Sequence, residues 1–291
     1  MSPSRPTGPR RPGSPTAATG TDLPRGPITF LSDYGTVDEF VGIVHRVIAG
    51  RAPDIQVIDL THQIPAHDVR AGALALWRAA PWLVPGVILA VVDPGVGTAR
   101  RAVAVEISRA GAVLVGPDNG LLLPAATSLG PITSAVALPP HPAAGRGATF
   151  AGRDVFAPAA AELAKGVELR RLGPAIDPLT LAGDPIPTAQ TEPDGRLRAE
   201  VLWVDRFGNA QLNARPADVA AHGPVVEVAT TPQHPWPARL VTAYAELEPD
   251  EVGLVTDSYG FLSVSCHESP AAARTGLRAG DAVWLGSLGR G

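Results

Sequence analysis

Apolar positions fall along the chain in two textures. From Pro27 to Lys165, short apolar runs alternate with longer segments of helical period. Pro27 to Leu31 (PITFL) reads as a buried strand, a polar loop follows from Ser32 to Thr36, and Val37 to Ala49 reads as a helix. Ile55 to Leu60 predicts a second strand, and Val69 to Ala80 a helix stopped by Pro81. Gly86 to Val92 (GVILAVV) is apolar throughout and too short for a helix, so it predicts a strand buried on both faces. Ala102 to Ile107 and Ala112 to Val115 predict two more strands, and Arg153 to Lys165 a helix with Gly166 as its C-cap. Strands alternating with helices predict an α/β domain with a mainly parallel sheet.

The pattern changes after residue 182. Residues 183–195 are rich in Pro, Asp, Gly and Thr and read as a linker. Beyond them lie five short strand-like runs, Leu197 to Val204, Val225 to Ala229, Gly253 to Thr256, Gly260 to Ser265 and Ala282 to Leu285. Turn residues separate them, which predicts an all-β barrel or sandwich. The expected organisation is a disordered tail (1–26), an α/β domain (27–182), the linker and an all-β domain (196–291). No internal repeat is visible.

Composition narrows the function. With 45% hydrophobic residues the chain can bury a real core, and 31 Gly and 31 Pro predict many sharp turns. The single cysteine, Cys266, excludes an intramolecular disulfide and a thiolate metal cage. No apolar run is long enough to span a bilayer. The net charge is −4, yet residues 1–26 hold four Arg against one Asp, so the body is more acidic still. That argues against bulk nucleic-acid binding. The Arg- and Pro-rich start has no apolar core segment of a secretory signal, so a cytoplasmic protein is expected. The seven histidines form no HxxxH, HExxH or HxH pair, and neither a metal site nor a cofactor is expected. GxSxG, P-loop and CxxC motifs are absent.

In parallel sheets, ligands bind beyond the carboxyl ends of the strands. Four polar motifs stand in such places or in the all-β half. Asp93-Pro94-Gly95-Val96-Gly97-Thr98-Ala99-Arg100 joins a carboxylate and a guanidinium across a Gly-rich loop. It lacks the third Gly of a dinucleotide fingerprint, and a strand follows it instead of a helix. Ser32-Asp33-Tyr34-Gly35, with Asp38 five residues beyond Asp33, offers one carboxylate to vicinal hydroxyls and another to an ammonium group. An Asp in that place also reads as a helix cap. Gly116-Pro117-Asp118-Asn119-Gly120 has turn chemistry. Val204-Asp205-Arg206-Phe207-Gly208-Asn209 reads either as a turn or as an aromatic face plus amide suited to adenine.

Together these motifs resemble the S-adenosyl-L-methionine hydroxide adenosyltransferase family, relatives of the fluorinase and chlorinase. The resemblance covers 27–291 and rests on ITFLSDYGTVDEFVG, IDLTHQIPAHDVRAGA, VVDPGVGTARRAVAVE, GPDNGLL, TFAGRD, VDRFGNAQLN and DSYGFL. It implies an α/β domain and a C-terminal β-barrel, assembled as a homotrimer whose site lies between one subunit's N-terminal domain and its neighbour's barrel. The implied reaction is displacement at the ribose 5′ carbon of S-adenosyl-L-methionine by water, giving adenosine and L-methionine without a cofactor. By resemblance, Asp93 and Arg100 are catalytic. Asp33 holds the ribose hydroxyls, Asp38 lies near the methionine amine and His67 lines the pocket. Asn119 belongs to the substrate site, and Phe207 and Asn209 hold adenine.

One position departs from the pattern. The family's hydrolases usually read TFHGRD, whereas this chain has Ala151 in the His place. A non-catalytic binder of S-adenosyl-L-methionine or adenosine, or a halide-using chlorinase-like enzyme, is the alternative reading. The halogenases typically place Tyr where this chain has Asp93, and the fluorinase carries an insertion that Arg101 to Gly116 is too short to hold.

Overall fold

The computed structural model describes residues 26–140, 147–231 and 234–288. Apart from Gly26, the expected N-terminal tail lies outside them, as does His141. The first half contains β1 (Ile28–Ser32), α1 (Phe40–Arg51), β2 (Val57–Thr61), α2 (Val69–Ala79), β3 (Gly86–Val91), β4 (Ala102–Ile107) and β5 (Ala112–Pro117). It continues with α3 (Leu123–Leu129), β6 (Ser134–Leu138) and α4 (Ala157–Ala164). Its sheet has the order β2-β1-β3-β5-β4-β6. The first four strands run parallel, and β4 lies antiparallel between β5 and β6. This is the mainly parallel α/β domain expected.

Helices cover both faces of the sheet, which explains the unbroken apolar runs of β1, β3 and β5. On one face Val44 and Ile48 of α1 and Ala160 and Leu163 of α4 pack on Phe30, Leu89 and Val115. On the other, Ala73 and Leu76 of α2 and Ala125 of α3 pack on Leu31, Ile88 and Leu114. α1 leads from β1 outward to β2, and α2 returns on the opposite face to β3. The winding therefore reverses between β1 and β3, and their carboxyl ends open a crevice there.

The second half is a barrel. It holds β7 (Gln190–Thr191), β8 (Leu197–Val204), β9 (Ala210–Leu212), β10 (Val225–Ala229), β11 (Pro235–Val241), β12 (Val252–Thr256), β13 (Leu262–Cys266), α5 (Ala271–Thr275) and β14 (Ala282–Ser287). Seven strands close through the β14–β8 pairing, and β7 adds to the edge of β8. Leu212, Val228, Leu254, Val264 and Leu285 fill the interior. Part of the stretch read as linker thus contributes the β7 pairing.

Several elements were not anticipated. β11 carries Pro235 and Pro237, which argue against a strand. Both lie opposite β10, while β12 pairs only with Leu240 and Val241, so the missing amides leave no gap in the second ladder. α3, β6 and β9 are too short for periodicity to register. The helix expected from Arg153 begins as a π-helical segment, Gly152–Phe156, before α4. Among the described residues no helix is long and apolar enough to cross a membrane.

The two halves meet through α2. Arg78 Nη1 donates to Gln211 Oε1 at 3.0 Å, Arg70 pairs with Glu200 at 2.5 Å, and the Trp77 and Phe261 rings meet edge to face. Within the first half, Asp118, just past β5, ties the sheet to the segment that leads out of the domain. Its carboxylate accepts from Arg101 Nε at 2.8 Å and from the Ala182 N–H at 2.7 Å, and it is only 6% exposed. Removing it strands both donors, so Asp118→Ala lowers stability by about 2 kcal/mol, read as a lower Tm in thermal unfolding.

Candidate active site

The crevice between β1 and β3 gathers the acidic residues. Asp33 and Asp93 each follow one of these two neighbouring strands. The Asp33 N–H donates to the Val91 carbonyl at 3.3 Å, which ties the two loops together. Arg100 returns across the Gly-rich loop to grip Asp93 in a two-point contact, Nε to Oδ1 at 3.0 Å and Nη2 to Oδ2. Its Nη1 donates to the Arg101 carbonyl at 2.8 Å, and its guanidinium lies against the Phe156 ring. The loop geometry depends on Gly97, whose φ of 79° suits glycine, and on Thr98, whose hydroxyl donates to the Gly95 carbonyl at 2.7 Å.

Asp93 is 6% exposed and Arg100 12%. Burial raises the Asp93 carboxyl above its usual range. The Arg100 charge and hydrogen bonds and the Gly95 N–H oppose that rise, and the nearby Asp33 charge adds to it. A buried carboxylate held by one fixed fork keeps a defined orientation, with little freedom to swing.

Asp33 is held from the other side. The His67 N–H donates to Asp33 Oδ2 at 2.9 Å, and His67 sits in the left-handed region at φ 67°. A non-glycine residue there carries backbone strain, which persists only where the surroundings impose it. His67 thus acts on Asp33 through its backbone, while its side chain is exposed. Next to it, Asp68 caps α2 by accepting from the Ala71 N–H at 2.8 Å. Asp38 is exposed on the segment leading into α1.

Asn119 is committed to the scaffold. Its Nδ2 donates to the Val92 carbonyl at 2.9 Å, and its Oδ1 accepts from the Leu121 N–H at 3.2 Å. It therefore joins the segment after β5 to the end of β3, directly beside Asp93.

Tyr34, which follows Asp33 in the SDYG stretch, is a further residue of the site. Its ring lies among Phe30, Phe40 and Phe150. Burial raises its hydroxyl pKa, and the Asp33 and Asp93 charges push in the same direction, so it remains a protonated donor. A Cβ added at Gly152 would lie 2.2 Å from that hydroxyl. The phenol therefore occupies the space beside Ala151 and Gly152. The SDYG stretch held the signal, since Tyr follows the candidate carboxylate directly.

Phe207 and Asn209 belong to a barrel loop. Asp205 organises it by accepting from the Phe207 N–H at 2.8 Å, the Asn209 N–H at 2.9 Å and Asn209 Nδ2 at 2.9 Å. A second loop repeats the device, with Asp257 accepting from the Tyr259 and Phe261 N–H groups at 2.8 and 3.0 Å. Each loop presents an aromatic ring outward, Phe207 at 71% and Tyr259 at 47% exposure. Asn209 and Tyr259 line a cavity of about 600 Å³ together with Arg78, Trp203 and Tyr244. The structure thus forms two groups of candidate residues, one at the β1/β3 crevice and one on the barrel.

An α/β sheet with paired carboxylates at its switch point, joined to a closed barrel bearing an aromatic and an amide, defines a two-domain small-molecule enzyme class. The SAM hydroxide adenosyltransferase N-terminal domain matches residues 28–173, and the corresponding C-terminal domain matches 199–284. The chain belongs to this family. It is 45% identical over 258 residues to an (R)-S-adenosyl-L-methionine hydrolase of Salinispora tropica, covering 87% of this chain and 95% of that protein. A fluorinase of Actinopolyspora mzabensis is 25% identical over 292 residues, covering 88% and 95%. The crystal structure of an uncharacterized conserved protein from Thermotoga maritima superposes with a TM-score of 0.80 at 29% identity, covering 89% and 99%.

Two outcomes follow from the geometry. If Asp93 serves the reaction, the acid limb of kcat/KM reports its ionisation, because only the carboxylate holds Arg100. Activity is lost as pH falls through its raised pKa, at a pH above the ordinary carboxylate range of about 4. Asp93→Asn removes that limb from the pH–rate profile along with most of the rate. Gly152→Ala drives a methyl group into Tyr34 and costs about 1–3 kcal/mol of stability, read by denaturant unfolding, with a fall in turnover.

Proposed function

We propose that the protein hydrolyses S-adenosyl-L-methionine to adenosine and L-methionine by attack of water on the ribose 5′ carbon. One observation carries this reading: the Asp93–Arg100 fork is intact at the switch point of a chain 45% identical to a protein named for that activity. The sulfonium is already a good leaving group, so neither a covalent nucleophile nor a metal is needed to activate it. The protein's task is to hold the substrate and one water in line with the carbon–sulfur bond. Asp93 accepts a hydrogen bond from that water, and Arg100 fixes the carboxylate in place. Because the guanidinium opposes the rise in its pKa, Asp93 acts as an orienting group more than as a strong base. As the water oxygen bonds to carbon, the sulfur takes the carbon–sulfur electron pair, and the proton leaves to solvent through the Asp93 side.

In the same reading Asp33 binds the ribose hydroxyls, Asp38 faces the methionine ammonium and His67 sets Asp33 through its backbone. Asn119 keeps the strand ends aligned, while Phe207 stacks on adenine and Asn209 bonds its edge. The adenine pair comes from a neighbouring subunit of a homotrimer. Exposed apolar residues at both halves support that arrangement, with Val37 at 96% beside Asp38 and Phe207 at 71% on the barrel. Ala151 favours a second reading, a binder of S-adenosyl-L-methionine without turnover.

Purified full-length protein incubated with S-adenosyl-L-methionine yields adenosine and methionine in equal amounts, measured by chromatography with and without chloride. Chloride-dependent 5′-chloroadenosine contradicts the hydrolase reading, and tight binding without product supports the binder. Ala151→His raises turnover by about tenfold or more if an imidazole assists the water. The shared site has its own test. Asp93→Asn and Asn209→Ala chains, each inactive alone, regain activity when mixed and reassembled, because some interfaces then hold both intact halves. Continued inactivity places the two halves within one chain.

A further inference from the structure

Along the chain the histidines form no linear pair of the kind that marks a metal site. The fold brings two of them to one carboxylate. His45 Nε2, on α1, lies 2.8 Å from Asp59 Oδ1, on β2. His62 Nε2, just past the end of β2, lies 3.0 Å from the same oxygen. These three ligand atoms all lie within 4.8 Å of one another.

The His62 ring supplies the independent observation. Its side chain is 6% exposed and packs edge-on against Phe30 at 4.6 Å. Its Nδ1 is paired with Ser32 Oγ at 2.8 Å. Its Nε2 is buried and makes no contact that meets the geometry of a hydrogen bond, with only the Asp59 carboxylate, at 3.0 Å, beside it. A buried ring nitrogen without such a partner is costly. The cost disappears if Nδ1–H donates to Ser32 and the Nε2 lone pair faces a cation. That is the usual arrangement of a metal-bound histidine, whose far nitrogen is fixed by a neighbouring oxygen.

We propose that His45, Asp59 and His62 form a site for a divalent transition metal, with zinc the fitting ion. Two imidazole nitrogens and one carboxylate oxygen suit zinc, with water in a fourth position. Metal–ligand bonds of about 2.0–2.2 Å place tetrahedral ligand atoms about 3.3–3.6 Å apart. Reaching that from 2.8 and 3.0 Å requires only a small outward turn of His45 and Asp59, whose side chains are 35% and 42% exposed. Binding displaces the proton that His45 Nε2 shares with Asp59 to solvent, and the imidazole coordinates as the tautomer that carries its one proton on Nδ1, taken up from solvent where the ring starts neutral. The ion would brace α1 on β2. Through His62 and Ser32 it would also stiffen the residue preceding Asp33.

The test uses tag-free, full-length protein stripped with a chelator. Zinc titrated by calorimetry binds at one ion per chain, and cobalt gives the visible absorption of a tetrahedral nitrogen–oxygen site. His45→Ala, at a half-buried position, and Asp59→Asn, at an exposed one, each weaken zinc binding by at least about tenfold. His222→Ala, far along the chain on the barrel, leaves it unchanged. Zinc raises the Tm of the wild type and not that of His45→Ala. Absence of saturable zinc binding overturns the proposal. So does affinity unchanged in both His45→Ala and Asp59→Asn, since the metal would then reside elsewhere.

Discussion

The reversal of winding between β1 and β3 is the constraint on which the site depends. Because α1 and α2 take opposite faces of the sheet, the two strand ends diverge and leave a crevice no helix fills. Asp33 and Asp93 emerge on either side of it, close enough for the Asp33 charge to act on Asp93. Two carboxylates facing each other at a buried edge would repel unless something fixed them. Arg100 does so for Asp93 by a two-point grip, and the His67 amide does so for Asp33.

The supporting residues follow from that constraint. The Gly97 turn exists so that the loop after β3 can double back and deliver Arg100. Asn119 and Asp118 hold the end of β5 against the end of β3 and the start of β4, so the crevice wall does not spread. Tyr34 closes the floor with its ring in an aromatic cluster and its hydroxyl against Gly152. On the barrel, two Asp-centred loops present Phe207 and Tyr259 outward by the same hydrogen-bond pattern. Strain at His67 and aromatic exposure at Phe207 are both expenses that a purely structural protein would have no reason to carry.

Much of this is legible in the sequence, and the limits have physical causes. The central strands announced themselves because a parallel strand covered on both faces must be apolar at every position, as in GVILAVV. The closed barrel was legible only as spaced short strands, and the two prolines hid β11. Asp93 and Arg100 could be named as partners from one loop, since seven residues and two glycines let them meet. The packing of the Tyr34 hydroxyl was not readable, because it depends on Gly152, more than a hundred residues away. The cluster of His45, Asp59 and His62 was hidden for the same reason, since α1 and β2 meet only in the folded sheet. The contacts of the Asn119 amide with Val92 and Leu121 were likewise hidden, since they join strand ends that meet only in the fold.

The central claim is that this crevice directs water to the ribose 5′ carbon. Turnover in heavy-oxygen water tests it most directly, with the products analysed by mass spectrometry. The account predicts one solvent oxygen in adenosine, at its 5′ hydroxyl, and none in methionine. Unlabelled adenosine, or label carried by methionine, would contradict it.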